Sequence, residues 1–333
     1  FEVDMPVKIT IIGLGQIGAS IGLALAAHKD RVVTTGHDKE YSVEQRAKKL
    51  GVVNETNHNL PSSVENADLV ILALPLNEIR ETLGHIAQDL RQDVVVVETA
   101  PVKAEVTKWV KEILPETAHY VGVVPAIGPA YLDGTASGLD SAKADLFERG
   151  IFLVSAPSGT SGEAVKLVTD FVKLLGSTSI LTDVVESDGL MASSYILPRL
   201  ASVALLNGTM SQPGWNEVKK SASRGYFAAT SALLDNSLEG LAMLAEHNRA
   251  NTIHSLNVMI NSLLDLRDDL EHDEHDSLVK RLMSAKEGRE KWLAEREKAD
   301  WSRTPGQDIE KPSFMESLFG SKLGKIGKDK GKG

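Results

Sequence analysis

A run of three spaced glycines near the start of the chain constrains its fold more than any other sequence feature. Gly13-Leu14-Gly15-Gln16-Ile17-Gly18 follows an apolar run, residues 7–12, and precedes a run of small residues, 19–27. This order predicts a buried strand, a tight turn and a helix. The first glycine allows the sharp bend, the second lets backbone approach a pyrophosphate, and the third lets helix and strand pack closely. The helix N-terminus would offer N–H groups and a positive dipole end to an anion.

An acidic residue follows at the spacing that a dinucleotide site requires. Asp38 comes 20 residues after Gly18 and shortly after a second β-branched run, residues 31–35. A carboxylate at this position accepts hydrogen bonds from the ribose hydroxyls of adenosine. Because a carboxylate also repels a 2′-phosphate, the sequence predicts NAD rather than NADP. The neighbouring Lys39 and His37 leave NADP open.

The first half of the chain alternates strand-like and helix-like segments. Several strand-like segments are continuous apolar runs, which is typical of strands buried on both faces of a parallel sheet. The alternation predicts an α/β fold, a doubly wound Rossmann sheet with parallel strands. The predicted strands are 7–12, 31–35, 69–74, 94–97, 120–124, 151–155 and 177–181, and the predicted helices are 20–28, 43–50, 76–89, 101–114 and 162–175.

The second half has a different character. After about residue 183 no β-branched runs remain, and Leu256, Ile260, Leu263 and Leu270 recur at helical spacing. We therefore expect a dinucleotide-binding domain at 1–184, an all-helical second domain at 185–300, and a flexible basic tail at 301–333. The apolar stripe is either internal core or the seam of a homodimer.

Composition excludes several classes of function. The chain contains no cysteine, which excludes disulfides, thiol nucleophiles and zinc–thiolate sites. Its net charge of −10 argues against a nucleic-acid partner. We see neither a run of eighteen apolar residues nor a signal peptide, so we expect no membrane span and a cytoplasmic location. His272 and His275 lie in an acidic stretch that is typical of a solvated helix end, so no metal site is predicted.

Five segments of the first half are informative together: residues 13–20 (GLGQIGAS), 50–53 (LGVV), 67–75 (ADLVILALP), 102–103 (VK) and 145–147 (DLF). Together they resemble the prephenate and arogenate dehydrogenases of tyrosine biosynthesis. The resemblance implies a Rossmann domain followed by a helical substrate and dimerisation domain. It also implies an oxidative decarboxylation in which hydride passes to a nicotinamide. The cofactor-binding residues are then expected to be Gly13, Gly15, Gln16, Ile17, Gly18, Asp38, Lys39, Leu74 and Pro75.

The chain departs from that family where the substrate is handled. A family loop reading His-Pro-x-x-Gly, whose histidine assists at the substrate hydroxyl, reads Val124-Pro125-Ala126-Ile127-Gly128 here. A family helix reading Ser-His-Leu-Pro-His reads Tyr195-Ile196-Leu197-Pro198-Arg199. Arg224 matches one member of a family arginine pair that grips carboxylates, and Ala228 stands at the place of the other. Because one positioned acid or base contributes about 10²–10⁴-fold in rate, these losses should cripple prephenate chemistry unless other groups replace them.

Four residues are candidates for contact with a small-molecule substrate, for which a carboxylate is one option: Lys103, Tyr195, Arg199 and Arg224. Lys103 either binds a carboxylate or cofactor group at the ligand edge of the sheet, or is a solvated lysine in a first helical turn. Tyr195 and Arg199 are four residues apart, which places a phenol and a cation on one helical face.

Three hypotheses for function stay open at this point. The first is an NAD(P)-dependent oxidoreductase resembling prephenate dehydrogenase. The second is a dehydrogenase or reductase of a different, less polar substrate. The third is a nucleotide-binding protein without turnover. The loss of the histidines motivates the second and third hypotheses.

Overall fold

Eight strands form one sheet in the computed structural model, which describes residues 6–134, 137–233, 237–299 and 301. Their spatial order is β3-β2-β1-β4-β5-β6-β7-β8, so the chain winds outward in both directions from β1. This confirms the predicted doubly wound α/β fold. The strands are β1 (Val7–Ile12), β2 (Val32–His37), β3 (Glu55–Thr56), β4 (Leu69–Leu72), β5 (Val95–Glu98), β6 (His119–Ala126), β7 (Ile151–Ser155) and β8 (Thr178–Leu181).

One strand pair corrects the expectation of a wholly parallel sheet. β6 and β7 pair antiparallel, with Ala126 opposite Ile151 and Gly122 opposite Ser155, whereas the other neighbouring pairs are parallel. A parallel neighbour needs a crossover, usually a helix. The described part of the 127–150 connection contains only two 3₁₀ turns and no crossover helix. β7 therefore starts beside the C-terminal end of β6 and runs in the opposite direction.

Helices cover both faces of the sheet, and each face has its own apolar core. Along β4, Leu69 and Ile71 pack into one core while Val70 and Leu72 pack into the other. A strand buried on both faces has no place for alternating polar residues, which explains its continuous apolar sequence. The covering helices are α1 (Gln16–Leu25), α2 (Tyr41–Lys49), α3 (Leu60–Val64), α4 (Leu76–Ile86), α5 (Ala104–Ile113) and α6 (Gly162–Leu174).

The described residues after β8 form helices joined by short connections, as predicted. The helices are α7 (Val184–Met191), α8 (Leu197–Met210), α9 (Trp215–Ser221), α10 (Arg224–Thr230), α11 (Leu238–His247), α12 (Arg249–Glu271) and α13 (His275–Lys298), with a π-helical turn at Ala192–Ile196. Ile196 and Leu244 pack into the core beneath α4 and α5, which attaches this half to the sheet. The proposed domain boundary near residue 184 stays a prediction. The predicted tail lies outside the described residues except for Trp301.

The predicted stripe on α12 is not internal core in the single chain. Ile260 and Leu263 are exposed, and Leu270 is 65% exposed. The continuous helical stretch Val184–Met210 is also poorly covered, and it is long and apolar enough to span a membrane, with 17% of its most apolar window buried. The sequence did not predict such a segment. Core helices of soluble proteins have the same length and composition, so this finding is weak evidence for a membrane span.

Candidate functional site

A crevice opens where the winding direction of the sheet changes. β1 is followed by β2 on one side and bordered by β4 on the other. Ligands of doubly wound sheets bind at this switch point, outside the carboxyl ends of the strands. The glycine turn, residues 13–18, leaves β1 there, and residues 73–75 leave β4 beside it. The fold thus brings together two of the segments from which cofactor contacts were predicted.

Two of the three glycines are required by the packing of the protein, with or without a ligand. Gly13 has φ +89°, a conformation that side chains disfavour, and a Cβ there would lie 2.5 Å from the Ala73 carbonyl oxygen. A Cβ on Gly18 would overlap the Gly13 carbonyl oxygen, so this glycine lets α1 approach β1. Both positions explain the packing of the turn without any ligand.

Gly15 differs because nothing in the described protein needs its hydrogen side chain. A Cβ there would have no neighbour within 4 Å, and its φ of −72° suits any residue. Gly15 is also the N-cap of α1, which begins without a side-chain cap and without an acidic residue in its first turn. The space and the helix N-terminus together fit a phosphate group close to the backbone.

Asp38 directly follows β2 and faces the glycine turn. Its Oδ2 accepts the Leu14 N–H at 2.8 Å, and its Oδ1 accepts the Glu40 N–H at 3.0 Å. Lys39 turns instead to Glu78, with its Nζ 2.7 Å from Oε1. The hydrogen bond and charge of Glu78 raise the pKa of Lys39. The carboxylate therefore lies by the turn while the neighbouring cation is engaged elsewhere.

The other predicted cofactor contacts surround the turn in different ways. Gln16 reaches the far side of the crevice, with its Nε2 3.5 Å from the Ser141 carbonyl oxygen. Ile17 packs against the core, so its backbone rather than its side chain would face a ligand. Leu74 lies against the glycine turn, and Pro75 is the exposed N-cap of α4. Their contact with a cofactor stays a prediction.

Lys103 differs from both interpretations of the sequence. Its side chain is fully buried, its ammonium pairs with Glu98, and it donates to the Val123 carbonyl oxygen at 2.9 Å. The Glu98 carbonyl oxygen is its third acceptor, at 3.3 Å, and Tyr120 donates to the Glu98 carboxylate at 2.8 Å. Burial lowers the pKa of Lys103 despite the opposing charge of Glu98. Lys103 is thus neither solvated nor available to a substrate carboxylate. Its ammonium instead holds β6 in place through the Val123 carbonyl oxygen.

The start of α5 also corrects the sequence analysis. The predicted helix began at Pro101, but α5 begins at Ala104. Asp188 of α7 accepts the Lys103 N–H at 2.6 Å and the Ala104 N–H at 3.1 Å, which caps the helix from another element. Asn248 in turn donates to the Asp188 carbonyl oxygen at 2.7 Å. A tertiary contact between the two halves therefore fixes this helix end.

Comparison with known proteins finds relatives among the prephenate dehydrogenases. Residues 21–181 match the family described as "Prephenate dehydrogenase, nucleotide-binding domain". The matched segment, just under half of the chain, is similar to the nucleotide-binding domain of prephenate dehydrogenases. Among curated relatives, it is 29% identical over 199 residues to the cyclohexadienyl dehydrogenase of Zymomonas mobilis, covering 60% of this chain and 66% of that protein. It is 23% identical over 288 residues to the prephenate dehydrogenase of Bacillus subtilis, covering 86% and 76%.

Solved structures of family members share this fold. The prephenate dehydrogenase of Aquifex aeolicus, in complex with hydroxyphenyl propionate and NAD+, superimposes with a TM-score of 0.75 at 21% identity, over 87% of this chain and 99% of that one. The arogenate dehydrogenase of Synechocystis gives a TM-score of 0.68 at 22% identity, over 86% and 100%. The likeness extends through the helical half, which the sequence resemblance covered only in outline.

The segment expected to carry the family's histidine is not a loop at its start. Val124 lies inside β6, opposite Leu153 of β7, and is 6% exposed. The chain leaves the strand only at Ile127, before Gly128. If Val124 takes the place of the family's histidine, this chain has a buried apolar side chain in β6 where the family has an imidazole.

The candidate residues of the helical half lie on two helical segments, the stretch Val184–Met210 and α10. Tyr195 and Arg199 are brought together as predicted, with the guanidinium 3.5 Å above the phenol ring centroid and Nη1 donating to the Tyr195 carbonyl oxygen at 3.0 Å. Arg224 is exposed at the first position of α10. Each of these roles in substrate binding stays a prediction.

Sequence reasoning missed a further cation beside β6. Arg296 of α13 is buried and donates through Nη2 to the Ile127 carbonyl oxygen. Its Nε lacks a hydrogen-bond partner within the described residues, as does Nε1 of Trp301, whose ring centre lies 5.9 Å from the guanidinium carbon. Burial lowers the pKa of Arg296, and no described carboxylate offsets that effect. No local motif indicates this residue, since a lone arginine near the end of a charged helix normally points to solvent.

Proposed function

We propose that this protein is an NAD-dependent dehydrogenase that oxidises prephenate or arogenate. The observation that carries the proposal is the open space at Gly15 in front of the uncapped N-terminus of α1. The protein does not need that space for its own packing, and a pyrophosphate does. The domain match to the family and the names of its relatives supply the substrate class.

Several groups of this chain would hold the cofactor. Gly13, Gly15 and Gly18 shape the turn, the first turn of α1 donates to the pyrophosphate, and Asp38 accepts from the adenosine ribose. The negative charge of Asp38, and the engagement of Lys39 by Glu78, favour NAD over NADP. When bound, the nicotinamide accepts a hydride from the substrate carbon.

The substrate would lie between the halves, at the carboxyl ends of β5 and β6. Arg296, Tyr195 with Arg199, and Arg224 are the cations and phenol that the chain offers to a carboxylate. Arg296 is the strongest of these, because a buried cation without a counter-charge is costly and an anionic ligand relieves that cost. Lys103 acts through β6 as a positioning residue rather than by contact.

The apolar Val124 favours a second candidate, a dehydrogenase whose substrate presents a less polar group at this position. Neither candidate gives Val124 a proton-transfer role, since valine has no titratable group. In both cases the hydride would leave the substrate without help from an imidazole at this position.

The test is a direct assay of purified protein with prephenate and with arogenate, each with NAD and with NADP, following absorbance of the reduced cofactor. Calorimetric titration with NAD runs alongside. Turnover with either substrate supports the proposal. Tight NAD binding without turnover retires the substrate assignment in favour of another substrate or a non-catalytic nucleotide-binding protein. If the protein binds neither NAD nor NADP, all three hypotheses for its function are refuted.

We further propose a cytoplasmic homodimer formed through the helical half. The exposed apolar residues of α12 and the poorly covered stretch Val184–Met210 support a second copy as their cover. Leu282 and Met283 add exposed apolar surface on α13. The net charge of −10 supports the absence of a nucleic-acid partner. Sedimentation of the purified protein tests the dimer.

A further inference from the structure

Three potential metal ligands meet beside the predicted adenosine site, although they are far apart in the sequence. His37 ends β2, Glu44 lies in the first helical turns of α2, and His58 follows β3. The Glu44 Oε1 is 3.4 Å from Nδ1 of His37 and 3.1 Å from Nδ1 of His58. All three ligand atoms lie within 4.8 Å of one another. The fold thus converges two imidazoles on one carboxylate.

The two carboxylate oxygens of Glu44 differ in their hydrogen-bond partners. Glu44 is 1% exposed, and its Oε1 has three neighbours: the two imidazoles and the Asp38 N–H, which donates at 3.0 Å. Its Oε2 is buried and has no hydrogen-bond partner among the described residues. A buried charged oxygen without a partner is costly. A cation held by the imidazoles and by both oxygens of the carboxylate would supply the missing partner of Oε2 and offset the buried charge.

We propose that His37, Glu44 and His58 bind a divalent transition-metal ion of the zinc type. Two imidazole nitrogens with one carboxylate suit zinc, whereas magnesium and calcium favour all-oxygen sets. Bonds of about 2.0–2.2 Å place neighbouring ligand atoms of a tetrahedral zinc site roughly 3.3–3.5 Å apart, close to the two separations above. His58 is 51% exposed on its side chain, which gives the ion a path from solvent.

Zinc binding requires one local exchange of partners. The Nδ1 of His37 also lies 3.0 Å from the Asn57 carbonyl oxygen, to which it donates when that nitrogen carries the proton. The metal takes the place of that proton. Tyr41 packs edge-on against the His58 ring at 5.4 Å and limits the directions that this ring can take.

The position of the ion gives it a structural role in cofactor binding. Glu44 accepts the Asp38 N–H, and Asp38 accepts the Leu14 N–H of the glycine turn. A metal that fixes Glu44 therefore also fixes the acid predicted to hold the adenosine ribose. The ion lies outside the hydride-transfer region, so it positions the cofactor rather than taking part in the reaction.

The test uses tag-free, chelator-treated full-length protein, titrated with Zn²⁺ in competition with a chromophoric chelator. We expect one equivalent to bind, with the affinity reduced at least about tenfold in His58→Ala and in Glu44→Gln. His58→Ala changes an exposed residue, so it should fold, and Zn²⁺ should raise the midpoint of thermal unfolding of the wild type but not of this variant. Co²⁺ substitution should give a d–d absorbance spectrum that His58→Ala abolishes.

Two controls locate the ion. His85→Ala removes an exposed histidine whose Nε2 lies 3.5 Å from Oε1 of Glu81, and should leave Zn²⁺ affinity unchanged. The double variant His272→Ala/His275→Ala removes two histidines that lie three residues apart in the sequence, and should also leave Zn²⁺ affinity unchanged. The proposal is overturned if the wild type binds no Zn²⁺, if His58→Ala binds it as tightly as the wild type, or if the double variant loses it. None of these readouts requires NAD or substrate, so they stand apart from the test of dehydrogenase activity.

Discussion

Replacing Gly15 by alanine separates the cofactor role of the glycine turn from its structural role. The added methyl group meets no protein atom within 4 Å, and the backbone conformation at Gly15 is ordinary. Alanine is a poorer N-cap than glycine by up to about 1 kcal/mol. Lower entropy of the unfolded chain offsets about 0.4–1 kcal/mol of this. The free energy of unfolding should therefore change by less than about 1 kcal/mol.

The effect on nucleotide binding should be much larger. The methyl group of Gly15→Ala would occupy the space through which the pyrophosphate approaches the backbone. We expect NAD affinity to fall at least tenfold, which corresponds to about 1.4 kcal/mol of binding free energy. Calorimetric titration with NAD measures the affinity, and urea denaturation measures the stability of the same preparation.

Two other glycine-to-alanine changes serve as matched controls. Gly18→Ala forces a methyl group onto the Gly13 carbonyl oxygen and should destabilise the protein by about 1–3 kcal/mol. Gly84→Ala adds a methyl group to an exposed, open position inside α4, and should stabilise by about 0.5–1 kcal/mol with NAD affinity unchanged. If Gly15→Ala binds NAD as tightly as Gly84→Ala does, or is as unstable as Gly18→Ala, the assignment of the phosphate site is wrong.

Four further predictions follow from the site. Asp38→Asn should shift the NADP to NAD affinity ratio toward NADP by about tenfold, because it removes the charge that repels a 2′-phosphate; titrations with both nucleotides measure this. Lys103→Met should cost about 3–5 kcal/mol in urea denaturation by leaving Glu98 buried and unpaired, and adding Glu98→Gln should recover part of that loss. Val124→His should raise kcat with prephenate by about 10²-fold or more if this position takes the family's histidine, and an unchanged kcat would disprove that alignment. Burial raises the pKa of Asp188 above its ordinary 3.8, so the folded protein takes up this proton before the unfolded chain does. As pH falls through that raised pKa, the stability of the wild type should therefore rise relative to Asp188→Asn, and parallel pH profiles of the two proteins would contradict this.

Local sequence determined the glycine turn and the buried strands of this protein. Gly18 is fixed by its close approach to Gly13 within the β1–α1 unit, Gly13 has a positive φ in the turn itself, and the bounds of β1 and β7 were predicted without error. Strand propensity and burial pattern are properties of neighbouring residues, so they can be read from a short stretch of chain. The order of strand, glycine turn, helix and acid likewise needs only local spacing.

Tertiary structure alone decided the direction of β7, the start of α5 and the surroundings of Lys103. The capping of α5 comes from Asp188, which is 85 residues from Lys103 in the sequence. The burial of the Lys103–Glu98 pair against β6, the contact of Arg296 with Ile127, and the convergence of His37 and His58 on Glu44 likewise depend on how distant elements pack. A residue's charge and hydrophobicity do not specify which distant partner will neutralise it, because that choice follows from the packing of the whole sheet and its helices.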